Sequence, residues 1–380
     1  MNGAIGGERA EVTAFAHRII AWQKQHGRRD LPWQGTRDPY RIWLSEIMLQ
    51  QTQVSAVIPY YERFLARFPD LAALAAASED AVLRLWAGLG YYARARNLHR
   101  AARTIVQDLG GSFPQQPAAV CALPGIGRST AAAICAFACG ARQAILDGNV
   151  KRVLARHFAI EGYPGDKRVE ATLWAQAEAL LPDRDIEAYT QGLMDLGAGV
   201  CVRRAPRCGQ CPVRETCVAL RDDRSAELPG PRPVSPRPER ATTMLILSRQ
   251  GEVLLEKRPA PGIWGGLWCF PEMDGEQVEA VCLGRFGVET TGLHRLSEIE
   301  HGFTHFRLHI TPVVVTVSSG AGAEEPGRVW LTPEDALGAA IPVPVRRILT
   351  VLAHDEHRLG AEQRNPYRST PRTPRTQRKP

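Results

Sequence analysis

Apolar residues near the start of the chain recur at the spacing of an amphipathic helix. Gly27 and Pro32 end the first such run, whose members are Val12, Phe15, Ala16, Ile19 and Ile20. Similar helical periods, each interrupted by proline or glycine, continue to about Leu220, and no convincing alternation with a period of two appears among them. The first 220 residues are therefore predicted to be all helical.

A second pattern begins after a run of prolines. Five prolines lie between Leu228 and Pro238, interleaved with charged residues, and this composition favours an extended connector. We assign residues 221–240 to a linker. Beyond it, runs rich in β-branched and aliphatic residues occupy positions 244–247, 253–255 and 308–317, and helical periods recur near 277–285 and 345–354. The second domain, residues 241–356, is therefore predicted to be α+β.

Length and composition agree with two folded domains. The chain has 380 residues, of which 44% are apolar and 23% charged, whereas a single domain typically has ~100 to 200 residues. No apolar run is long enough to cross a membrane, and the first twenty residues lack the apolar core of a signal peptide. Because nine cysteines suit a reducing interior, we expect a soluble cytoplasmic protein rather than a secreted one stabilised by disulfide bonds.

The positive charge of the chain is concentrated at its end. The formal net charge is +7, and beyond Leu359 six basic residues stand against Glu362 alone. The rest of the chain is nearly balanced, so net charge is weak evidence for nucleic-acid binding. The proline, arginine and threonine content of residues 359–380 leaves too little apolar surface to fold, which predicts a disordered basic tail.

Four cysteines form a cluster with the spacing of a metal site. They lie within seventeen residues in the order Cys-x6-Cys-x2-Cys-x5-Cys, at Cys201, Cys208, Cys211 and Cys217. Four thiolates suit either tetrahedral zinc or an iron-sulfur cluster, and the spacing by itself separates neither from the other. The remaining cysteines lack such clustering and are interpreted as small core residues.

A glycine-rich turn at residues 123–127 separates two helical runs. Gly125 and Gly127 let the backbone approach a ligand closely, and the free N–H groups at the start of the next helix favour an anion such as a DNA phosphate. Taken alone, however, a Gly-x-Gly turn favours a plain connection between helices over a ligand site.

Two carboxylates stand in positions suited to chemistry. Glu46 lies on a nearly all-apolar helix, where burial would raise its pKa and keep it protonated near neutral pH. The alternative is a glutamate at the solvent edge of that helix. Asp147 precedes another helix, where it can act as an N-cap, as a catalytic carboxylate, or as both.

Several long segments resemble the MutY-type adenine DNA glycosylases, which belong to the helix-hairpin-helix superfamily that also contains endonuclease III. In the first domain the segments are LPW at 31–33, WLSEIMLQQTQV at 43–54, GLGYYARARNLH at 88–99, LPGIGRSTA at 123–131, ILDGNVKRVLAR at 145–156 and the four-cysteine loop. In the second they are WGGLWCFPE at 264–272 and HGFTHFRLHI at 301–310. The resemblance covers about Glu11 to Ala353.

The resemblance implies both a fold and a function. It predicts an all-α helix-hairpin-helix glycosylase domain over residues 9–220, with an iron-sulfur loop at 201–217, and a Nudix-like α+β domain over 241–356. The expected reaction belongs to base excision repair and removes adenine paired with 8-oxoguanine or guanine by hydrolysis of its N-glycosidic bond. The expected partner is double-stranded DNA that carries this mispair. The protein is expected to bind it as a monomer and not to associate with a membrane.

The resemblance also implies roles for individual residues. Glu46 is the general acid, Asp147 stabilises the sugar cation, and the four cysteines hold a [4Fe-4S] cluster. Tyr91 is a wedge in the base stack. Thr304 and His305 read the oxidised guanine, and Phe303 beside them is expected to act as a further wedge. The other residues expected to contact DNA or the extruded adenine are Arg29, Trp33, Leu49, Gln50, Gln51, Thr52, Gly125, Gly127, Ser129, Asn149 and Gln191.

Three departures from related enzymes refine this reading. Ser129 stands where strand-cleaving relatives carry a Schiff-base lysine, which predicts a monofunctional glycosylase. Thr304 replaces the usual serine but keeps the hydroxyl. The helix after Glu272 lacks the glutamates that hold magnesium in Nudix hydrolases, so the second domain is predicted to recognise rather than hydrolyse. The competing hypotheses are an endonuclease III-like lyase for oxidised pyrimidines and a non-enzymatic iron-sulfur DNA-binding module.

Overall fold

The structure, a computed structural model, describes residues 2–233, 236–275, 277–318 and 325–363, with side chains described between residues 14 and 354. The chain folds as two compact units. The first contains the described parts of Met1–Leu85 and Ala93–Ser235, and the second those of Trp86–Tyr92 and Pro236–Pro380.

The part of the chain before the linker is helical throughout its regular structure, as predicted. The first helix ends one residue before Gly27, where the apolar period stops. The helices are α1 Asn2–His26, α2 Pro39–Leu49, α3 Val54–Arg67, α4 Leu71–Ala76, α5 Glu79–Trp86, α6 Ala93–Asp108, α7 Pro117–Cys121, α8 Arg128–Cys139, α9 Gly148–His157, α10 Lys167–Ala179, α11 Ile186–Asp195 and α12 Val218–Arg221.

Short polar residues begin several of these helices. Asp38 caps α2 by accepting a hydrogen bond from the Tyr40 N–H at 2.9 Å, and Pro39 occupies the first helical position, where its missing N–H costs nothing. Asp147 caps α9 in the same way, through the N–H of Val150. Gly140 ends α8 in the left-handed conformation that suits glycine.

The core of the helical unit surrounds α9 and α11. Both helices pack with α1 and with the segment before Asp147, and buried side chains such as Ile19, Val150 and Leu193 form one continuous cluster. On α2 the apolar stripe is buried as the period predicts, at Tyr40, Ile42, Trp43, Leu44, Ile47 and Met48. Burial of this stripe is what fixes the direction of the side chains that lie beside it.

The turn between α7 and α8 has the geometry of a helical hairpin. Gly125 has a φ of +78°, and a Cβ atom at this position would lie 2.7 Å from the side chain of Asn97 on α6. Both observations require glycine. The Gln50 amide lies 3.4 Å from the Thr130 hydroxyl, which links the end of α2 to the start of α8.

Arg94 on α6 holds the end of α2 in place. This guanidinium is 8% exposed, and its NH1 donates to the carbonyl oxygens of Ile47 at 2.9 Å, Met48 at 2.7 Å and Gln50 at 2.6 Å. Its NH2 donates to the Thr52 hydroxyl at 3.1 Å. The cation thus satisfies carbonyls that a helix leaves unpaired at its C-terminal end and fixes the following loop.

The second unit is built on a mixed sheet. Its strands are β1 Glu239–Arg249, β2 Glu252–Lys257, β3 Trp268–Cys269, β4 Glu272–Met273, β5 Thr290–Arg295, β6 Ile299–Gly302, β7 Arg307–Val317 and β8 Arg328–Leu331. The strand order is β3-β2-β1-β7-β5. In addition, β4 pairs with β1, β6 pairs with β7, and β8 pairs with β2. β1 and β7 are parallel from Glu239↔Arg307 to Ser248↔Thr316, and the other pairs are antiparallel.

Short helices complete the second unit, which is α+β as predicted. They are α13 Val278–Val281, which continues as a π-helical turn at Cys282–Phe286, α14 Pro333–Leu337 and α15 Val343–Gln363. The side chains of Cys282 and Phe286 pack with Leu245 and Val313 of the sheet. The fold therefore buries one face of the sheet against this helical segment.

The folded units extend into both segments that the sequence assigns to linker and tail. Leu228 is 3% exposed, and Gly230 packs directly against the backbone of Gly162 in the helical unit. β1 begins at Glu239, so the segment 221–240 contains the ends of both folded units. Helix α15 continues to Gln363, past residue 359, and residues 364–380 of the expected tail lie outside the described residues.

Replacing Arg94 by methionine should lower the free energy of unfolding of the helical unit by about 3 kcal/mol, because it leaves buried carbonyl groups without a donor. Urea unfolding followed by circular dichroism measures the change. Arg100→Met, an exposed position on the same helix, is the matched control and should stay within about 0.5 kcal/mol of the wild type. Equal stabilities of the two variants would show that the contacts of Arg94 contribute nothing.

Candidate active site

A cleft of about 890 Å³ opens in the helical unit between the end of α1, the C-terminal part of α2, the start of α9 and helix α11. It brings together ten of the seventeen residues that the sequence predicts for catalysis and for contacts with DNA or adenine. Those lining it are Arg29, Trp33, Glu46, Leu49, Gln50, Thr52, Ser129, Asp147, Asn149 and Gln191. Two carboxylates that are about 100 residues apart in sequence therefore share one cleft.

Glu46 is largely withdrawn from solvent. Its neighbours on α2, Ile42 and Leu49, also line the cleft, so the carboxyl group has an apolar surrounding. Burial raises the pKa of Glu46 to about 8, and the negative charge of Asp147 adds to the effect. Glu46 is consequently protonated at neutral pH and can donate a proton.

Asp147 sits in a different environment within the same cleft. Burial raises the pKa of Asp147 overall, although the backbone N–H groups of Val150 and Asn149, the Arg152 guanidinium and the Asn149 side chain each oppose part of that increase. Its Oδ1 accepts from the Val150 N–H at 2.8 Å, and Oδ2 lies 3.4 Å from the Asn149 amide nitrogen. These donors stabilise the ionised form, so the cleft contains one carboxyl group surrounded by apolar side chains and one surrounded by donors.

Ser129 has a structural contact beside Asp147. Its hydroxyl oxygen accepts from the N–H of Leu146 at 2.9 Å and thereby fixes the residue that precedes Asp147. Lys24 also lines the cleft, and its ammonium group is paired with Asp185 at 2.8 Å. Lys24 is the one lysine among the described residues that line the cleft, and its partly exposed amine is bound to Asp185.

The sequence analysis missed a buried ion pair that supports Gln191. Asp195 is 5% exposed and accepts from Arg28 through its backbone N–H at 3.0 Å and its guanidinium at 2.6 and 2.7 Å. The same carboxylate accepts from the Gln191 amide nitrogen at 2.9 Å, which leaves Oε1 as the free acceptor of that side chain. The spacing of Gln191 and Asp195, four residues on one helix, was the available signal, but nothing local marks Arg28 as the partner.

Trp33 and Arg29 lie at the other wall of the cleft. Trp33 is 9% exposed, and its ring meets the edge of Tyr61 with centroids 5.3 Å apart. Arg29 is exposed and lines the cleft. One wall is thus a fixed aromatic surface and the rim carries a cation, which suits a flat, uncharged base attached to an anionic backbone.

The other residues expected to bind DNA lie outside this cleft. Gln51 and Tyr91 both have backbone conformations with positive φ, at +56° and +49°, and Tyr91 is 47% exposed. Gly125 and Gly127 form the turn before α8. Phe303, Thr304 and His305 lie between β6 and β7 in the second unit, where Thr304 and His305 are exposed and Phe303 is half-buried.

The four clustered cysteines line a single small cavity below α9, and none forms a disulfide bond. The pKa of the Cys211 thiol is raised to about 12, mainly by burial and in addition by the negative charge of the other three cysteines. Four cysteine sulfurs are the donor type that an iron-sulfur cluster or a zinc ion requires. Across the described residues, however, no group of three or more His, Cys, Asp or Glu side chains is arranged so that it could hold a metal ion.

Two arginines on α9 connect the cysteine loop to the cleft. Arg152 donates from Nε to the carbonyl of Cys201 at 2.7 Å and from NH2 to the Asn149 side chain at 2.9 Å. Arg156 is 3% exposed and donates to the Cys201 Sγ at 3.4 Å and to the Leu228 carbonyl at 2.8 Å. The helix that Asp147 caps is therefore also the helix that holds the cysteine loop.

The glutamates of the second unit are engaged by arginines. Glu272 pairs with Arg258 at 2.6 Å, and Glu256 pairs with Arg285 at 2.5 Å and Arg328 at 2.8 Å. Over residues 278–286 the helical segment carries a single carboxylate, that of Glu279. This arrangement offers no cluster of acidic side chains among the described residues of the segment.

Two protein families match the chain in the regions that form the two units. The HhH-GPD superfamily of base excision DNA repair proteins matches residues 44–179, and the NUDIX domain matches residues 242–351. The adenine DNA glycosylase of Buchnera aphidicola subsp. Acyrthosiphon pisum is 35% identical over 337 residues, which cover 88% of this chain and 96% of that protein. The chain belongs to the adenine DNA glycosylase family.

A relative from Homo sapiens and a solved structure are also similar to this member of the adenine DNA glycosylase family. The adenine DNA glycosylase of Homo sapiens is 34% identical over 407 residues, covering 90% of this chain and 74% of that protein. A solved thermostable thymine-DNA glycosylase is 31% identical, with a TM-score of 0.52, and covers 58% of this chain and 99% of its own. The predicted resemblance and the two-domain fold are confirmed, and the chain is a DNA glycosylase of base excision repair. None of the helices that the structure describes is long and apolar enough to cross a membrane.

The raised pKa of Glu46 predicts a measurable effect on the stability of this glycosylase. A carboxyl group whose pKa rises from 4.5 to about 8 on folding binds a proton more tightly in the native state, so stability falls as pH increases through this interval. Glu46→Gln removes the effect and should gain on the wild type by ~4 kcal/mol between pH 4.5 and 8.

Thermal unfolding at intervals of pH tests this expectation. The difference between Glu46→Gln and the wild type should grow from pH 4.5 to 8 and then stay constant. Glu62→Gln, at an exposed position on α3, should follow the wild type throughout. A difference for Glu46→Gln that does not change with pH would contradict the raised pKa.

Proposed function

We propose that this enzyme removes adenine from DNA in which adenine is paired with 8-oxoguanine or guanine, by hydrolysis of the N-glycosidic bond and without cutting the strand. The observation that carries the proposal is the presence of Glu46 and Asp147 in one cleft, with the pKa of Glu46 raised to about 8. Relatives named adenine DNA glycosylase over most of this chain support adenine as the substrate.

Glu46 supplies the proton that the leaving base needs. A neutral adenine departs far more readily than its anion, so protonation of a ring nitrogen lowers the barrier to cleavage of the bond between the base and the sugar. A positioned acid of this kind contributes a factor of ~10² to 10⁴ in rate. The apolar surroundings of Glu46 keep the proton on its carboxyl group until the base accepts it.

Asp147 stabilises the positive charge that the departing base leaves on the sugar. An ionised carboxylate does so electrostatically or by forming a transient bond to the anomeric carbon, which water then replaces. The hydrogen bonds from Val150 and Asn149 hold the carboxylate at one place at the start of α9. In either route water adds its hydroxyl group to the sugar, and the products are free adenine and an abasic site.

We expect the reaction to stop at the abasic site, because Lys24 is the one lysine among the described residues that line the cleft and its amine is paired with Asp185. Strand cleavage by a glycosylase-lyase requires a Schiff base between a lysine and the sugar. At the corresponding position this chain has Ser129, whose hydroxyl group binds the Leu146 N–H. This supports a monofunctional enzyme over the endonuclease III-like lyase.

The second unit reads the base opposite the adenine. Thr304 and His305 are exposed between β6 and β7, and a hydroxyl group and an imidazole can distinguish 8-oxoguanine, with its C8 carbonyl and N7 proton, from guanine.

Extrusion of the adenine costs a few kcal/mol of stacking, which the exposed Tyr91 offsets by entering the stack. Leu49 to Thr52, held by Arg94, contact the bases nearby, and the turn at Gly125 and Gly127 binds a phosphate.

Cys201, Cys208, Cys211 and Cys217 would hold a [4Fe-4S] cluster, which would stabilise the loop between them. The loop carries Arg203, Arg204, Arg207 and Arg214, which would then contact the DNA backbone. Arg156 donates a hydrogen bond to the Cys201 sulfur.

The enzyme acts as a monomer in the cytoplasm on chromosomal DNA.

A single assay tests substrate and reaction together. Duplexes containing adenine opposite 8-oxoguanine, guanine or thymine are incubated with excess enzyme and analysed with and without alkali. Alkali should reveal abasic sites opposite 8-oxoguanine and, at lower rate, opposite guanine, whereas the untreated strand should remain intact. Strand breaks without alkali, or equal rates opposite thymine, would contradict the proposal. Glu46→Gln serves as the control and should lose at least ~100-fold in rate while binding the duplex.

The metal content of the purified enzyme tests the cluster. Protein prepared without oxygen should contain about four iron atoms and four sulfides per chain and absorb near the blue end of the visible spectrum. Cys211→Ser should lose iron and unfold the loop, whereas Cys121→Ser, at a half-buried cysteine outside the cluster, should keep it. Zinc without iron in the wild type would contradict the assignment.

A further inference from the structure

The loop that joins β6 to β7 is closed by its own backbone. The two strands pair up to Gly302↔Arg307, and beyond that pair the N–H of Phe303 donates to the carbonyl of Phe306 at 2.9 Å. The turn leaves Thr304 and His305 at the tip, both exposed. Any displacement of the two phenylalanines at its base therefore displaces the tip.

The two phenylalanines belong to a stack of aromatic side chains. Their rings are parallel to within 19°, with centroids 4.5 Å apart. Phe303 also contacts the ring of Trp264 at 5.4 Å and the edge of His301 at 4.7 Å, and the Arg240 guanidinium lies 4.7 Å from the centre of Phe306. Phe303 is thus packed within the second unit, and its use as a wedge in DNA would require these contacts to open.

Trp264 occupies a backbone conformation that normally belongs to glycine. Its φ is +55°, although it carries a large side chain, and this region is strained for any residue with a Cβ atom. The surrounding turn fixes it, because the Trp264 carbonyl accepts from the Leu267 N–H at 2.9 Å and Gly266 donates to the Arg258 carbonyl at 2.9 Å. A turn alone would be served better by glycine, so the strain is retained for what the indole ring does.

The ring of Trp264 is buried, with 6% of the residue exposed. It therefore has little surface to offer to DNA, and it meets the recognition loop at Phe303 and at His301. A polar contact to a base edge depends on placement within a fraction of an ångström, which requires rigid support behind the contacting side chains.

We propose that Trp264 is a positioning residue for base recognition: its buried indole, held in a strained turn, supports Phe303 and sets the position of Thr304 and His305 against the base opposite the adenine. The inference rests on the proposed function, in which this loop reads 8-oxoguanine. It goes beyond that function by assigning specificity to a residue that does not touch the base. A residue that merely fills the core would affect stability alone.

The test compares two Trp→Leu variants of the same domain. Trp264→Leu removes the support of the loop, whereas Trp330→Leu removes an indole on β8 that packs against the apolar core and beneath Arg249. Single-turnover rates of adenine removal opposite 8-oxoguanine and opposite guanine give a preference ratio for each protein. A displaced loop should lower this ratio about tenfold in Trp264→Leu, since a good base contact discriminates by roughly ten- to a hundredfold. Trp330→Leu, matched for loss of melting temperature, should keep the wild-type ratio.

Two further proteins separate this inference from the proposed function. Trp264→Phe keeps an aromatic ring and should recover part of the lost preference. Thr304→Val combined with His305→Ala removes the contacts themselves. If this double variant lowers the ratio and Trp264→Leu does not, the positioning role is wrong while the reading loop stands. If the double variant also leaves the ratio unchanged, the loop does not read the base and both proposals fail.

Discussion

The presence of two half-buried carboxyl groups in one cleft is the constraint on which the account of this enzyme depends. Glu46 and Asp147 line that cleft, and the charge of Asp147 adds to the effect of burial in disfavouring the charge of Glu46. The protein resolves the conflict by unequal surroundings, with apolar neighbours around Glu46 and hydrogen-bond donors around Asp147. Under the proposed function Glu46 gives a proton to the base and Asp147 stabilises the sugar cation, and the donors around Asp147 favour the ionised form that its role needs.

Helix α9 transmits the position of Asp147 to the rest of the helical unit. Its first turn is capped by this residue, and its second and last turns carry Arg152 and Arg156, which bind the carbonyl and sulfur atoms of Cys201. Opposite it, Arg94 fixes the end of the helix that carries Glu46. Each of the two carboxyl groups thus belongs to a helix that a buried arginine ties to a neighbouring segment, and removal of such a buried cation costs much stability.

The elements and the two carboxylates were within reach of the sequence because their signals are local. The apolar stripe of α2 follows from a spacing of three and four residues. The apolar residues around Glu46 on this helix already indicate that the pKa of its carboxyl group is raised. Asp147 stands directly before a helical period. The four cysteines lie within one short segment, so their common cavity needed no knowledge of the fold.

The supporting residues could not be found in this way, since their partners are remote. Asp195 pairs with Arg28, which is 167 residues away, and Arg94 binds carbonyl groups 44 to 47 residues away. Nothing in the sequence distinguishes Arg94 from its neighbour Arg96 until the helices are packed. The strained backbone of Trp264 was equally hidden, because a tryptophan between glycines reads as an ordinary part of a turn.

The dependence of the single-turnover rate on pH tests the central claim most directly. With excess enzyme and a duplex containing adenine opposite 8-oxoguanine, the rate of adenine release should be highest near neutrality. It should decrease above about pH 8 as Glu46 loses its proton, and at acidic pH as Asp147 gains one. A rate that continues to increase through pH 9 would show that no protonated carboxyl group of this kind takes part, and the division of roles between Glu46 and Asp147 would be wrong.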